Sequence, residues 1–120
     1  MNWEIQFMPV EQILAVLITG TVKPGESDEM LKEAVPEAAK HSCERFLLDY
    51  RQATPLISTL DVYDRPTSYD RLAIPRTARL AVLRSSDFKE STFAENVAHN
   101  RGYRLRFFDS QDTAIKWLTE

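Results

Sequence analysis

Residues 79–120 read RLAVLRSSDFKESTFAENVAHNRGYRLRFFDSQDTAIKWLTE, and this segment gives the clearest indication of the architecture. It contains two short apolar runs, residues 79–84 and residues 104–108, and each run is followed by a segment with helical spacing. The links between these segments are short. A strand–helix–strand–helix unit of this kind predicts two parallel strands joined by a right-handed crossover.

The two helices of this unit have clear boundary signals. Residues 87–90 (DFKE) open the first predicted helix, and Gly102 closes it by taking the left-handed conformation. Asp109 or Ser110 starts the second helix, which ends near residues 117–118. The C-terminal third therefore predicts a β-α-β-α order.

The N-terminal part predicts an antiparallel hairpin. In residues 2–8, Trp3, Ile5 and Phe7 alternate with polar residues, as in a strand with one solvent-facing side at the edge of a sheet. Residues 13–18 (ILAVLI) form an uninterrupted apolar run, which is typical of a strand covered on both faces.

The middle of the chain predicts two further helical regions around a third strand. Ser27 is the expected cap of the first helix, which runs to residues 40–41 and either kinks or breaks at Pro36. Residues 45–50 are the third strand. Between residues 51 and 76 we expect two short helical pieces, interrupted near Pro66, rather than one helix. The predicted order is ββαβαβαβα, an α/β domain with a mixed, mostly parallel five-stranded sheet and helices on both faces.

Length and composition limit the class of protein. At 120 residues the chain is expected to be a single domain, residues 1–120, and 43% hydrophobic residues suffice for a core. The net charge of −3 offers no general attraction for nucleic acid or anionic lipid. The single cysteine, Cys43, fits a reducing compartment, and the run at 13–18 is too short to cross a bilayer. We therefore expect a cytoplasmic protein without membrane insertion.

Seven segments resemble the SpoIIAA-like family, which has the STAS (sulfate transporter and anti-sigma-factor antagonist) fold. They are residues 17–20 (LITG), 46–51 (FLLDYR), 58–63 (STLDVY), 79–83 (RLAVL), 100–103 (NRGY), 107–109 (FFD) and 114–118 (AIKWL). The similarity covers nearly the whole chain and is greatest to the uncharacterised bacterial branch of that family. It implies a small regulatory or interaction domain, not an enzyme, with no cofactor.

The resemblance also implies a position for regulation. In sporulation members of the family, a serine at the start of the helix after the third strand is phosphorylated to control binding of an anti-sigma kinase. The nearest position here is Ser58, with Thr59 beside it. The chain departs from the family's Asp-Ser-Ser-Gly sequence, because residues 56–60 read LISTL.

Ser58, Thr59, Asp61 and Tyr63 are thus the candidates for phosphorylation or protein interaction. A phosphate on Ser58 would lie at a helix N-terminus, where free N–H groups favour an anion. The alternative is that the Ser58 hydroxyl only caps the helix, with Asp61 completing a capping box.

Asp49 and Arg51 are the ligand-cleft candidates. Asp49 follows the apolar part of the third strand, and ligands of open α/β sheets bind outside the carboxyl ends of strands. With Asp61, the pair could line a polar cleft; the alternative is an ordinary surface ion pair. Tyr50, Tyr63 and Tyr69 surround the irregular segment and either shape an apolar pocket or pack a helix against the sheet.

Other residues support weaker interpretations. Arg76, Arg101, Arg104 and Arg106 either hold an anionic partner or keep an edge strand soluble. Asp61 and Asp64 lack a third ligand at a helpful spacing, so no metal is expected. No catalytic residue is assigned.

The sequence is compatible with two functions. The first is a non-enzymatic regulatory module that binds another protein, and the second is a small-molecule or lipid-binding protein with a cleft at the carboxyl ends of the central strands. A homodimer is expected through the apolar side of the first strand, which carries Trp3, Ile5 and Phe7.

Overall fold

The computed structural model describes the backbone of residues 1–120 and every side chain except that of Thr59. The described backbone forms strands β1 (Asn2–Met8), β2 (Ile13–Val22), β3 (Arg45–Pro55), β4 (Arg79–Leu83) and β5 (Arg104–Phe108). Its helices are α1 (Glu26–Lys40), α2 (Thr59–Arg71), α3 (Ser91–Asn100) and α4 (Gln111–Leu118). The predicted element order is confirmed.

The strands form one sheet in the order β1-β2-β3-β4-β5. β1 is antiparallel to β2, and Trp3 pairs with Ile18 and Phe7 with Leu14. The pairs β2–β3, β3–β4 and β4–β5 are all parallel. Since parallel neighbours need a crossover, α1, α2 and α3 each connect one pair. The predicted mixed sheet, with an antiparallel first strand, is confirmed.

Alternation along the central strands divides the core between the two faces of the sheet. Phe46 and Leu48 of β3 point into a cluster that also receives residues of α1, α2 and α3. Leu47 points to the other face, into a smaller cluster with Ala114 and Leu118 of α4. We call these the three-helix face and the α4 face. Helices on both faces, as predicted, explain why the runs in β2 and β3 are apolar throughout.

The apolar side of β1 is packed within the chain. Trp3, Ile5 and Phe7 are half-buried against the core of the three-helix face. The indole Nε1 of Trp3 donates a hydrogen bond to Glu33 Oε2 at 2.8 Å, and the Phe7 ring stacks on His41 with centroids 3.9 Å apart. These side chains are therefore not a free surface for self-association. A homodimer stays a prediction without that support.

The start of α1 differs from the prediction. Gly25, with φ +86°, precedes the first helical residue, and the side chain of Ser27 does not cap the helix. The Ser27 hydroxyl instead shares a hydrogen bond with the Tyr50 hydroxyl at 2.9 Å. The helix continues through Pro36 without a break. Burial of Met30, Leu31, Ala34 and Ala38 on one face offsets the hydrogen bond that proline removes.

The segment between β3 and β4 was predicted incorrectly. β3 extends beyond Tyr50 to Pro55, because its second half pairs with the end of β2, where Gly20 lies beside Ala53. The two predicted helical pieces are one helix, α2, which runs through Pro66. Pro66 is fully buried, so its packing against the core stabilises a helix that local signals alone would interrupt.

Boundaries in the C-terminal third are largely as predicted. Gly102 has φ +85° and follows α3, and Ser110 caps α4 by accepting a hydrogen bond from the Thr113 N–H. The one difference in the helices is that α3 begins at Ser91, after a turn at residues 86–87 and an irregular stretch at residues 88–90.

Candidate functional site

The start of α2 has a complete capping box. The Ser58 hydroxyl oxygen accepts a hydrogen bond from the Asp61 N–H at 3.2 Å, and Asp61 Oδ2 accepts one from the Ser58 N–H at 2.7 Å. The Ser58 hydroxyl also donates to Asp61 Oδ2 at 2.9 Å. The predicted cap is confirmed. Ser58 is exposed, so its hydroxyl is accessible to an enzyme.

Exposed apolar side chains surround this cap. Of the large apolar side chains that the structure describes, four are exposed, at Val10, Leu56, Leu60 and Tyr63. Three of these lie within eight residues around the start of α2, and we call Leu56, Leu60 and Tyr63 the α2 patch. Exposed apolar groups clustered in this way are typical of interaction surfaces. The side chain of Thr59, the remaining candidate here, lies outside the described part of the structure.

Asp49 and Arg51 form an ion pair on β3. The Arg51 Nη2 lies 2.8 Å from Asp49 Oδ2, and the Arg51 Nε and backbone N–H both donate to Asp49 Oδ1 at 3.0 Å. Partial burial raises the pKa of Asp49, but these hydrogen bonds outweigh it and the pKa is lowered. The carboxylate is thus held ionised and is a poor general base near neutral pH.

The structure does not bring Asp49, Arg51 and Asp61 into one cleft. By strand alternation Asp49 shares the side of β3 that carries Leu47, on the α4 face. The pairing register of β3 with β2 shifts between Asp49 and Gln52, and Arg51 stays beside Asp49 through their ion pair. Asp61 is occupied by Ser58 at the start of α2. Ligand binding by the Asp49–Arg51 pair stays a prediction.

An apolar cavity of about 100 Å³ lies on the three-helix face, at the carboxyl ends of β3, β4 and β5. Its walls come from these strands and from α2 and α3, and include Leu48, Val82, Val62, Ala94, Leu105 and Phe107. This is the edge of the sheet at which the sequence predicted a cleft, but on the face opposite Asp49. Cavities with mostly apolar walls and few polar groups are common ligand sites.

Two of the three predicted tyrosines line the cavity. Tyr50 and Tyr69 contribute to its wall, whereas Tyr63 is exposed and contacts Arg101, whose guanidinium carbon lies 5.9 Å from the ring centroid. Burial raises the pKa of Tyr69, so its hydroxyl is neutral near physiological pH. The tyrosine cluster therefore divides between the cavity and the α2 patch.

A charged network that the sequence analysis missed borders the cavity. Asp28 of α1 accepts hydrogen bonds from Arg65, from the Ser68 hydroxyl at 3.0 Å and from Arg71 at 2.9 Å. Burial disfavours the charge of Arg65, but Tyr69, Tyr50 and Asp28 outweigh it and raise its pKa. The network ties α2 to α1. No local pattern signals it, since its partners are about forty residues apart.

Two negative findings apply to the described residues. They contain no group of three or more potential ligands that could hold a metal ion, Asp61 and Asp64 included. Among the helices they form, none is long and apolar enough to span a bilayer.

Comparisons with known proteins identify the fold. No protein-family model and no curated protein matches the chain. The structure is similar to an uncharacterised protein of the DUF3478 family with a SpoIIAA-like fold from Shewanella loihica PV-4, with a TM-score of 0.61 and 17% sequence identity over 98% of this chain and 92% of that one. It is also similar to the anti-sigma factor antagonist SpoIIAA in its unphosphorylated form, with a TM-score of 0.54 and 11% identity over 93% and 92% of the two chains. The protein therefore has a SpoIIAA-like (STAS) fold.

Proposed function

We propose that the protein is a small, non-enzymatic, cytoplasmic regulatory module that binds another protein through the α2 patch. The observation that supports this proposal is the clustering of Leu56, Leu60 and Tyr63, which are 58%, 67% and 50% exposed, beside a capped helix start. Burying such side chains against a partner removes apolar area from water. Apolar and aromatic anchors near the centre of an interface supply most of its binding energy.

The fold supports a regulatory role in general terms. One structurally similar protein is an anti-sigma factor antagonist, a regulatory protein that acts on another protein. The geometry of the α2 start suits this role because the helix is pre-ordered by Ser58 and Asp61. A partner that docks here does not need to order the helix first, which lowers the entropic cost of binding.

The test is affinity purification from the native host with three proteins: wild type, Leu60→Asp and Val10→Asp. Val10 is 91% exposed in the turn between β1 and β2, so Val10→Asp is a matched exposed apolar-to-acidic change away from α2. We expect a partner that is retained by wild type and Val10→Asp but lost with Leu60→Asp. Equal recovery with all three proteins would refute binding through the α2 patch.

Phosphorylation of Ser58 is the proposed means of control. A phosphate there would face the Asp61 carboxylate that now accepts both Ser58 hydrogen bonds, and like charges at that distance repel. The modification would therefore replace the capping box with a phosphate on the helix N–H groups, changing the charge of the patch without unfolding α2.

This control is tested by mass spectrometry of protein from the native host, together with Ser58→Asp and Ser58→Asn in the same purification. Both aspartate and asparagine are good N-caps, so the pair differs in charge and not in helix capping. We expect Ser58→Asp to lose the partner and Ser58→Asn to keep it. An unmodified Ser58 together with identical partners for both variants would remove the switch and leave the docking surface standing.

A second candidate function is binding of a small apolar molecule, and the observation that favours it is the cavity between α2, α3 and the sheet. At about 100 Å³ it is comparable with the apolar cavities of roughly 150 Å³ that bind a single small ring, so a small apolar molecule is the expected ligand. Arg65 and Arg84 also line it, but each is paired with a carboxylate, so the cavity favours an uncharged ligand.

Ala94→Leu tests this candidate, because it places a larger side chain in the cavity wall, whereas Ala39→Leu makes the same change at an exposed position of α1. Native mass spectrometry of protein from the host should show a bound small molecule in wild type and Ala39→Leu, and its loss in Ala94→Leu. Protein of bare mass in all three cases would exclude a resident ligand.

A further inference from the structure

Arginine side chains form a row across three neighbouring strands on the α4 face. In the parallel register, Arg45 of β3 pairs with Arg79 of β4, and Arg79 pairs with Arg104 of β5. Arg106 lies two residues further along β5, beside Ala81, and so projects from the same side of the sheet. Neighbouring strands are about 4.8 Å apart, so four guanidinium groups originate within a small area. We call these four residues the arginine row.

The arginine row is distinguished by its lack of ion pairs within the described part of the structure. Among the side chains that the structure describes, none of the four arginines lies within 4.0 Å of a carboxylate oxygen, whereas Arg51, Arg65, Arg71, Arg76 and Arg84 all do. Like charges placed side by side on a sheet destabilise it unless a counter-charge is present. The arginine row is thus a local concentration of positive charge in a chain whose net charge is −3.

Part of the row is held in position by neutral contacts. Arg45 Nη1 donates to the Glu11 carbonyl oxygen at 2.8 Å, and Arg79 Nη1 donates to the Trp117 carbonyl oxygen at 2.6 Å. The guanidinium carbons of Arg79 and Arg106 lie 5.5 and 5.7 Å from the centroid of the Trp117 indole. These contacts orient the groups and leave most of their N–H donors available to a ligand.

Three members of the row, Arg79, Arg104 and Arg106, line an open concavity of about 460 Å³ beside β5, together with His99 and Trp117. Arg45, the fourth, extends the row of charge beyond this concavity. Arg76 and Arg101, which the sequence grouped with Arg104 and Arg106, are engaged elsewhere. Arg76 bonds to Asp70 at 2.7 Å, and Arg101 bonds to Thr67 at 3.2 Å. The structure therefore replaces the set suggested by sequence with a different one, brought together by strand register.

We propose that the arginine row is a binding site for a ligand that carries two or more adjacent phosphoryl groups. The planar guanidinium fork matches phosphate oxygens with two parallel hydrogen bonds, and several forks in a row suit several linked phosphates better than one isolated anion. Because the Trp117 ring is already in contact with Arg79 and Arg106, the site supplies charge and hydrogen bonds rather than a platform for stacking bases. This site lies on the face opposite the cavity and is independent of the α2 patch.

Isothermal titration calorimetry with tripolyphosphate tests the site, with sulfate at equal ionic strength as the comparison anion. Arg104→Gln is the main variant, since Arg104 is exposed and its loss removes no hydrogen bond or ion pair of the described structure. Lys32→Gln is the control, because it makes the same charge change at an exposed position of α1. Circular dichroism verifies that each variant is folded.

We expect tripolyphosphate to bind tighter than sulfate, and Arg104→Gln to weaken it about tenfold, in line with the loss of charge-assisted hydrogen bonds. Lys32→Gln should change the affinity by less than about twofold, since exposed charges far from the site are screened. A sedimentation assay then distinguishes a lipid headgroup from a free polyphosphate. It uses vesicles of phosphatidylcholine that contain a phosphatidylinositol bisphosphate. Equal weakening by both variants, or absence of binding to both tripolyphosphate and these vesicles, would overturn the proposal.

Discussion

On one face of the sheet, α1, α2 and α3 all contribute buried residues to a large core, whereas on the other face the described core is completed by α4 alone. The three-helix face has the larger core but is packed less completely, because the cavity lies between α2, α3 and the strands. The α4 face is tightly packed, with Ala81, Leu83 and Ala114 fully buried, but α4 leaves Arg104 and Arg106 exposed. The candidate site on the three-helix face is thus a gap in the packing. The candidate site on the α4 face is a part of the sheet that α4 does not cover.

The largest expected effect is the loss of stability when a helix on either face loses its buried leucine. Leu118 anchors α4 and is 1% exposed, and Leu31 anchors α1 and is 0% exposed. Each Leu→Ala change should lower the free energy of unfolding by about 2–5 kcal/mol through lost burial and the cavity left behind. Denaturant unfolding measures both values.

Hydrogen exchange then separates the two faces. α4 has eight residues and cannot persist without packing, so its amides should exchange much faster in Leu118→Ala while those of α1 stay protected. Uniform loss of protection in both variants would mean that the two faces unfold as one unit.

The next effect compares the packing of the two faces with the same substitution. Ala94→Leu adds volume beside the cavity and should stabilise the fold by about 0.5–2 kcal/mol. Ala81→Leu adds it to a fully buried position under α4 and should destabilise by about 1–3 kcal/mol. Thermal unfolding gives the sign of each change in stability. A change of the same sign in both variants would show that the two faces are packed alike.

A smaller effect compares the serine caps of α2 and α4. Ser58→Ala removes the hydroxyl of the α2 capping box, and Ser110→Ala removes the hydroxyl that caps α4. Each should cost about 1 kcal/mol in chemical denaturation. Ser58→Ala should cost more, because Ser58 belongs to a complete capping box with Asp61, whereas Ser110 caps α4 through one hydrogen bond from the Thr113 N–H. The reverse order would show that Asp61 alone holds the start of α2.

The last comparison is a pH dependence that Tyr103 brings to the three-helix face. Burial, and then the hydrogen bond to Asp70, raise the pKa of Tyr103 from 10.0 to about 12. Below pH 10 both the folded and unfolded states keep this proton, and the stabilisation is fully present. As pH rises from 10 towards 12 the unfolded state loses the proton first, so stability falls.

Urea unfolding at a series of alkaline pH values checks this. Tyr103→Phe should abolish the part of the decline between pH 10 and 12 that Tyr103 causes. The exposed Tyr63→Phe is the control and should decline as wild type does. A wild-type decline that is unchanged in Tyr103→Phe would assign the effect to other groups.

The parts of the fold that could be predicted from sequence are those with local causes. Alternation in β1, the apolar run of β2, Gly102 after α3 and the Ser58 and Ser110 caps each act within a few residues. Short links between such elements leave few topologies, so the mixed sheet followed from them.

The parts that could not be predicted depend on partners distant in sequence. Residues 51–55 are mostly polar, yet they continue β3 because β2 lies beside them. Pro66 predicts an interruption, yet α2 continues because Asp28 of α1 binds Arg65, Ser68 and Arg71. In both places tertiary contacts outweigh local propensity.

The candidate sites follow the same rule. Ser58 and Asp61 interact over three residues, so their capping box could be predicted. The arginine row could not, because Arg45, Arg79 and Arg104 are neighbours only through strand register. The cavity is likewise set by how α2 and α3 lie against the sheet.

Strand order in the sheet is the same as strand order along the chain. During translation, each strand therefore emerges from the ribosome when its neighbour has already been made, and no earlier pair must separate to admit a later one. The hairpin of β1 and β2 provides a template, and every crossover helix adds one strand to its growing edge. Assembly of this sheet can proceed in step with synthesis, and it ends with β5, whose charged residues discourage the addition of a strand from another molecule.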